Sequence, residues 1–240
     1  MRHYGKSNND NGRAMDTITQ AILDNDAALL RRLLDEDKTY VTRIFDTERL
    51  FSEKIFHWIY SGDTALHLAS AAYRVDLIKL LLHAGANVNA SYNRRRGTPL
   101  HYAADGYIGG DTFNPMQQVS TLKLLLEAGA DINAQDKNGA TALHRATRTR
   151  CAEAVKFLLA AGADAQLRNS SGSSPFHLAV QNTGRGGSGE SVARLAQAHI
   201  IESFLQQGVS PNLRDGKCQT VIDCARSNWV REALMGRNLR

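Results

Sequence analysis

Four histidines stand in one register along the chain: His67, His101, His144 and His177, at intervals of 34, 43 and 33 positions. A row of imidazoles could hold a metal ion or pass protons, because neutral imidazole is both a common zinc ligand and a base near neutral pH. The intervals argue against both. Zinc–nitrogen bonds are about 2 Å long, whereas side chains one packed element apart are separated by about 10 Å. No G-x-S-x-G turn offers a nucleophile to any of them. The acidic pairs Asp24/Asp26 and Asp35/Asp37 fall at expected helix ends and loops, where solvation accounts for them. The run Gly184-Arg185-Gly186-Gly187-Ser188-Gly189 matches G-x-G-x-x-G by letter. A dinucleotide turn needs a strand before it; here a helix is expected there, and the lysine of a P-loop is missing, so the run reads as a linker. Cys151, Cys218 and Cys224 have neither the count nor the spacing of a disulfide framework or a zinc site, and are read as reduced, mostly buried thiols. We therefore expect no catalytic residues, no metal and no cofactor: a protein that is not an enzyme.

A second set of residues bears on binding. The formal net charge is +5 and the pI about 9.2, which by itself says little beyond solubility. Clustering matters more. Arg94-Arg95-Arg96 form a run, and Lys137, Arg145, Arg148, Arg150 and Arg168 follow within the next repeats. Arginine favours planar anions, so an acidic partner segment is the natural complement. The alternative is nucleic-acid or small-anion binding through Arg94–Arg96. Against nucleic acid, the net charge is modest and no aromatic residue interleaves with the run.

The elements that must carry these residues show in repeated phrases. Thr64-Ala65-Leu66-His67-Leu68-Ala69 returns as Thr98-Pro99-Leu100-His101-Tyr102-Ala103, as Thr141-Ala142-Leu143-His144-Arg145-Ala146, and as Ser174-Pro175-Phe176-His177-Leu178-Ala179. Each is followed by a leucine-rich phrase closing on glycine: Leu80 to Ala86, Leu124 to Ala130, Phe157 to Ala163, and more loosely Phe204 to Val209. The threonine is an N-cap, the aliphatic residues form an apolar face, and the glycine ends the second helix. No unit of this size buries its apolar face alone, so the units must stack.

Two phrases in fixed order, recurring four times, resemble the ankyrin repeat, whose unit is about 33 residues with a T-P-L-H-x-A signature. The resemblance covers residues 16 to 235. It implies an all-α solenoid of stacked helix pairs with short β-hairpin loops: about four central repeats between atypical caps. Residues 1–15 are read as a flexible tail, and 16–240 as the repeat domain. Within it we expect a capping unit at 16–37, an inserted helical segment at 38–59, repeats at 60–90, 93–134, 136–167 and 169–211, and a C-terminal cap at 215–235. The inserted helix is expected from Leu50, Phe51, Ile55, Phe56, Trp58 and Ile59 at near-helical spacing. Further insertions fall near 106–116 and 181–191, both on one edge of the array.

The resemblance also implies a role for the histidines, bonding the neighbouring hairpin and fixing unit spacing. It implies protein–protein binding through hairpin tips and the inner-helix face. Laid on this sequence, that face holds Arg94, Arg95, Arg96, Asp105, Lys137, Asn138, Arg148, Thr149, Arg168 and Gln181. The repeat has glycine where this chain has Arg96. The expected partner is a protein; a membrane is not expected, because no run of 18 apolar residues occurs. No secretory signal is seen; the reduced thiols make the cytoplasm the expected setting, and the expected state is a monomer.

Overall fold

A computed structural model describes residues 17–46, 48–51, 55, 57–106, 108, 113–181 and 191–236. The tail at 1–15 and the glycine run at 184–189 lie outside them. Helix α1 spans residues 17–23, followed by α2 (Ala27–Glu36) and a single 3₁₀ turn (Lys38–Val41). After a two-stranded hairpin, β1 (Arg49–Phe51) and β2 (His57–Ile59), the helices alternate in two layers. The inner layer holds α3 (Ala65–Ala71), α5 (Pro99–Ala104), α7 (Ala142–Arg148), α9 (Pro175–Ala179) and α11 (Val221–Cys224). The outer layer holds α4 (Val75–His83), α6 (Pro115–Glu127), α8 (Ala152–Ala160), α10 (Ser191–Gln206) and α12 (Asn228–Leu234). Each inner helix packs on the next inner helix, and each outer helix on the next outer one, from α2 through to α12. This is the all-α solenoid of stacked pairs.

One apolar seam runs between the layers. Leu66, Leu100, Leu143 and Phe176 come from the inner helices, and Leu77, Leu81, Leu122, Leu125, Val155, Leu158 and Phe204 from the outer ones, all essentially inaccessible. Phe176 and Phe204 stack at 4.7 Å. Alanines at 69, 103, 146 and 179 are fully buried, and their small size lets neighbouring inner helices approach closely.

The inner helices begin in one way. Thr64, Thr98 and Thr141 are N-caps whose capping boxes are completed by His67, His101 and His144. The imidazole takes the place that glutamate or glutamine usually fills, and each such cap contributes about 1 kcal/mol. In the last unit Asp223 fills it instead, accepting from Thr220 N at 2.8 Å.

The segment 38–59 departs from expectation. Its described residues form no inserted helix but the 3₁₀ turn and then the antiparallel pair β1–β2, in register Arg49↔Ile59, Leu50↔Trp58 and Phe51↔His57. The reason lies in which side chains can be buried. His57 and Ile59 point inward while Trp58 between them is 41% exposed, an alternation of period two that a helix cannot produce. Aromatic and β-branched residues favour this pleated, half-buried setting.

Candidate functional site

The loops between units form a row of fingers of common construction. Asn93, Asp136, Asn169 and Asp215 each open a finger, and the side-chain Oδ1 accepts two backbone N–H groups further on. Asp136 takes those of Asn138 (2.8 Å) and Ala140 (3.0 Å), and Asn169 those of Ser171 (3.0 Å) and Ser173 (3.1 Å). Asn93 does the same for Arg95 and Gly97, and Asp215 for Lys217 and Gln219. The turn forces the fourth residue into the left-handed region: Arg96 (φ 53°), Gly139 (69°), Gly172 (80°) and Cys218 (62°). Two of the four are glycine, which takes this conformation freely. Arg96 and Cys218 adopt it against preference. Cys218 is also exposed, unlike the buried Cys151, which corrects the reading of the thiols as mostly buried.

Neighbouring fingers are joined by backbone hydrogen bonds, Lys137 N to Arg95 O (2.8 Å), Ser170 N to Asn138 O (2.8 Å) and Gly216 N to Gly172 O (2.9 Å). The histidines join them to the inner helices. His67 Nε2 donates to Gly97 O (3.1 Å), His101 to Ala140 O (2.9 Å), His144 to Ser173 O (3.1 Å) and His177 to Gln219 O (3.2 Å). A carbonyl can only accept, so Nε2 carries the proton; Nδ1 of the first three accepts from the N-cap threonine N–H. Both nitrogens are thus committed in the neutral ring. Burial lowers all four pKa values, to about 3 for His101 and about 4 for His144. The histidines form a spacing device, and in the unit of α11 the corresponding position is Asp223, which accepts from Thr220 N.

Between the fingers and inner helices lies a groove of about 740 Å³. Its floor is a buried charge network. Arg145 places Nη2 2.9 Å from Asp136 Oδ2 and Nη1 3.8 Å from Asp105 Oδ2, and its guanidinium lies 5.9 Å from the Tyr102 ring centroid. Burial alone would raise the pKa of Asp105. His57 at 3.7 Å, Arg145 and Arg148 more than offset this and hold the carboxylate well below the usual range. Beside it Asp63, fully buried, accepts from Tyr60 N (2.7 Å), Asn93 Nδ2 (2.7 Å) and Tyr102 Oη (2.6 Å). Burial and this carboxylate push the Tyr102 phenol well above its ordinary range, so it remains a donor.

Of the ten residues that the repeat pattern places on this face, Arg95, Asp105, Asn138, Arg148 and Thr149 line the groove. Arg148 lies 3.8 Å from Asp105, with its side chain 58% exposed. Arg95 is exposed and lies over the Tyr60 ring, 4.6 Å from its centroid. Arg94 is exposed too, but its guanidinium is held by Glu48 of the insertion at 2.7 Å. Arg96 and Lys137 are exposed at the finger tips. Arg168 donates to Arg214 O (2.7 Å), which ties two fingers together. Gln181 lies apart, in a neighbouring hollow with Ser171, Asp215 and Arg226.

Three expectations need correction. Thr149 is 2% exposed and donates to Arg145 O (2.9 Å), so at the groove wall its hydroxyl is spent on capping a helix. Asp105 is 8% exposed and belongs to the floor network. Arg145 and Arg150, counted in the basic centre, are both buried: Arg145 is consumed by its two carboxylates, and Arg150 donates to Ala179 O (3.1 Å) and Gln181 O. A buried guanidinium must be paired or bonded, and here those bonds leave neither group free to bond a ligand.

Sequence reasoning also missed residues. His57 and Trp58 enter the groove from β2, and Trp58 stacks on Tyr60 at 6.4 Å and 19°. The signal was the cluster Phe56-His57-Trp58-Ile59 ending at the turn Ser61-Gly62, which suits a strand. The aromatic residues absent from the arginine run in sequence are therefore beside it in space.

A family model described as ankyrin repeats (3 copies) matches residues 18–110 and again 116–215. Among curated proteins, the NF-kappa-B inhibitor cactus of Drosophila yakuba is 38% identical over 47 residues, 20% of this chain and 10% of that protein. The protein of the same name from Drosophila melanogaster is 38% identical over 47 residues, 20% of this chain and 9% of its own. The matched segment thus spans about a tenth of those relatives' length. Repeated caps, the histidine ladder, the two-layer stack and a family match over most of the length lead to one assignment: the chain belongs to the ankyrin-repeat family.

Proposed function

We propose that this protein is a non-enzymatic interaction module whose groove takes up an acidic segment of a partner protein. Ankyrin repeats are in general protein–protein interaction modules. The observation that carries the finer reading is a division of charge. The groove's carboxylates Asp105 and Asp136 pair with the buried Arg145, while Arg95, Lys137 and Arg148 are exposed around it, Arg148 also lying 3.8 Å from Asp105. A partner's carboxylates meet Arg95 and Lys137 directly and Arg148 from its exposed side, leaving the two Arg145 pairs in place. Charge of this kind raises on-rate and selects partners more than it sets affinity. The name of the cactus relatives, NF-kappa-B inhibitors, accords with action on another protein. Three free thiols fit a reducing setting such as the cytoplasm.

The test is binding by the double variant Arg95→Glu, Arg148→Glu. We expect proteins captured by the wild type to be lost while the helical melting curve is retained. A captured set that is unchanged overturns the reading. One observation favours a second reading, single-stranded nucleic acid: Trp58 and Tyr60 stand beside Arg94 and Arg95, and bases stack on such surfaces. A steep loss of binding between low and physiological salt, for an oligonucleotide and not for a peptide, marks that case.

A further inference from the structure

The hairpin β1–β2 has an inner face packed on the array and an outer face that is partly exposed. Phe51, His57 and Ile59 turn toward the array, and His57 and Ile59 are buried there. On the outer face the cross-strand partners Leu50 and Trp58 are 39% and 41% exposed. Directly opposed residues on one face lie about 5 Å apart, so the two make a joint apolar surface. Trp58 carries that surface into the groove, where it stacks on Tyr60 beneath the guanidinium of Arg95. Scattered exposed apolar side chains need no explanation, but an adjacent pair leading into a basic groove does.

The insertion itself shows what this end of the groove accepts. Glu48 places its carboxylate on Arg94, and two residues later Leu50 lies on the apolar face. An acidic side chain on the arginine finger and an aliphatic one against Trp58 therefore already occur together in this chain.

We infer that the hairpin is the anchor end of the partner site: an aliphatic side chain of the bound segment seats on Leu50, Trp58 and Tyr60, and the segment's carboxylates follow toward Arg95 and Arg148. This rests on the acidic-segment reading above and adds the side chain that sets the segment's register. An apolar anchor bordered by charge is the usual source of selectivity in such a contact, because the charges alone accept any acidic chain.

The experiment is a fluorescence-anisotropy titration of the full chain with three labelled probes: a short oligoglutamate peptide, the same peptide with leucine at one end, and oligothymidylate. We expect the leucine-ended peptide to bind about fivefold more tightly than plain oligoglutamate, the gain of one partly buried aliphatic side chain. The gain should be lost in Leu50→Ser with plain oligoglutamate affinity retained; the position is exposed and outside the groove lining, and a helical melt checks the fold. Equal affinity of the wild type for the two peptides overturns this inference and leaves the acidic-segment reading standing. Binding to neither peptide overturns both. Oligothymidylate binding more tightly than either peptide assigns the aromatic end to nucleic acid and overturns both as well.

Discussion

Two fingers of this molecule share a skeleton and differ in everything attached to it. The finger at 93–97 and the finger at 169–173 are both opened by asparagine and closed by a pair of bonds to its Oδ1. Each is held from below by a histidine Nε2, His67 in one and His144 in the other. The first carries three arginines, has Arg96 in the left-handed region, and faces Glu48 and Tyr60. The second carries serines, has Gly172 in that region, and lies against Gly216 of the next finger. The common skeleton is structural and the differences are chemical. Variation at finger tips costs a repeat protein little, because the bonds that hold the tip are made by backbone and by the opening Asx residue.

The finger between them, at 136–140, tests that division most sharply, because its Asp136 serves both the turn and the buried network. Asp136→Asn keeps the turn acceptor and removes the charge from Arg145; it should destabilise by about 3–5 kcal/mol in urea unfolding. Asn169→Ala, which removes only turn bonds, should cost about 1–2 kcal/mol. A negligible loss in Asp136→Asn would mean that the charge network adds nothing beyond the turn.

The next effect concerns what the fingers share. His144 titrates near pH 4 in the fold and near 6.5 in an unfolded chain. The unfolded state therefore binds more protons between those values. The contribution is complete above about pH 6.5 and falls as the pH drops toward 4. His144 alone should account for about 2 kcal/mol between pH 6.5 and 5 at 1.36 kcal/mol per unit. His67, His101 and His177, also lowered, act in the same direction. Urea midpoints at a series of pH values measure the proton uptake, and a flat profile down to pH 5 would contradict a neutral, doubly bonded ladder.

The two smaller effects exchange the left-handed residues. A Cβ on Gly172 would lie 2.8 Å from Gly216 Cα and 2.9 Å from its N, so Gly172→Ala should cost about 2 kcal/mol through strain and displaced backbone. Arg96→Gly should stabilise by about 1 kcal/mol, because glycine takes a positive φ that arginine resists. Thermal unfolding of both variants gives the signs. A loss of stability in Arg96→Gly would show that this arginine makes a contact that offsets its backbone cost.

The regular parts of this fold were legible in the sequence because their causes are local. Threonine and histidine three residues apart complete a cap within one turn, and glycines at 139 and 172 meet a backbone need inside their own fingers. Stacking then follows, since an unpaired unit leaves its apolar face in water. The site was half legible. Residue types and register placed Arg95, Asn138 and Arg148 on the groove. Only the tertiary structure decided which charges remain available. Arg145 is buried by residues 40 and 9 positions away, Asp105 and Asp136, and Arg94 is held by Glu48, 46 positions earlier. The hairpin was misread for the same reason. Its apolar spacing suited a helix, and the neighbouring surface that buries alternate side chains is not a property of the segment itself. Local energetics wrote the repeat into the chain; long-range pairing, which depends on distance in space, decided its charge.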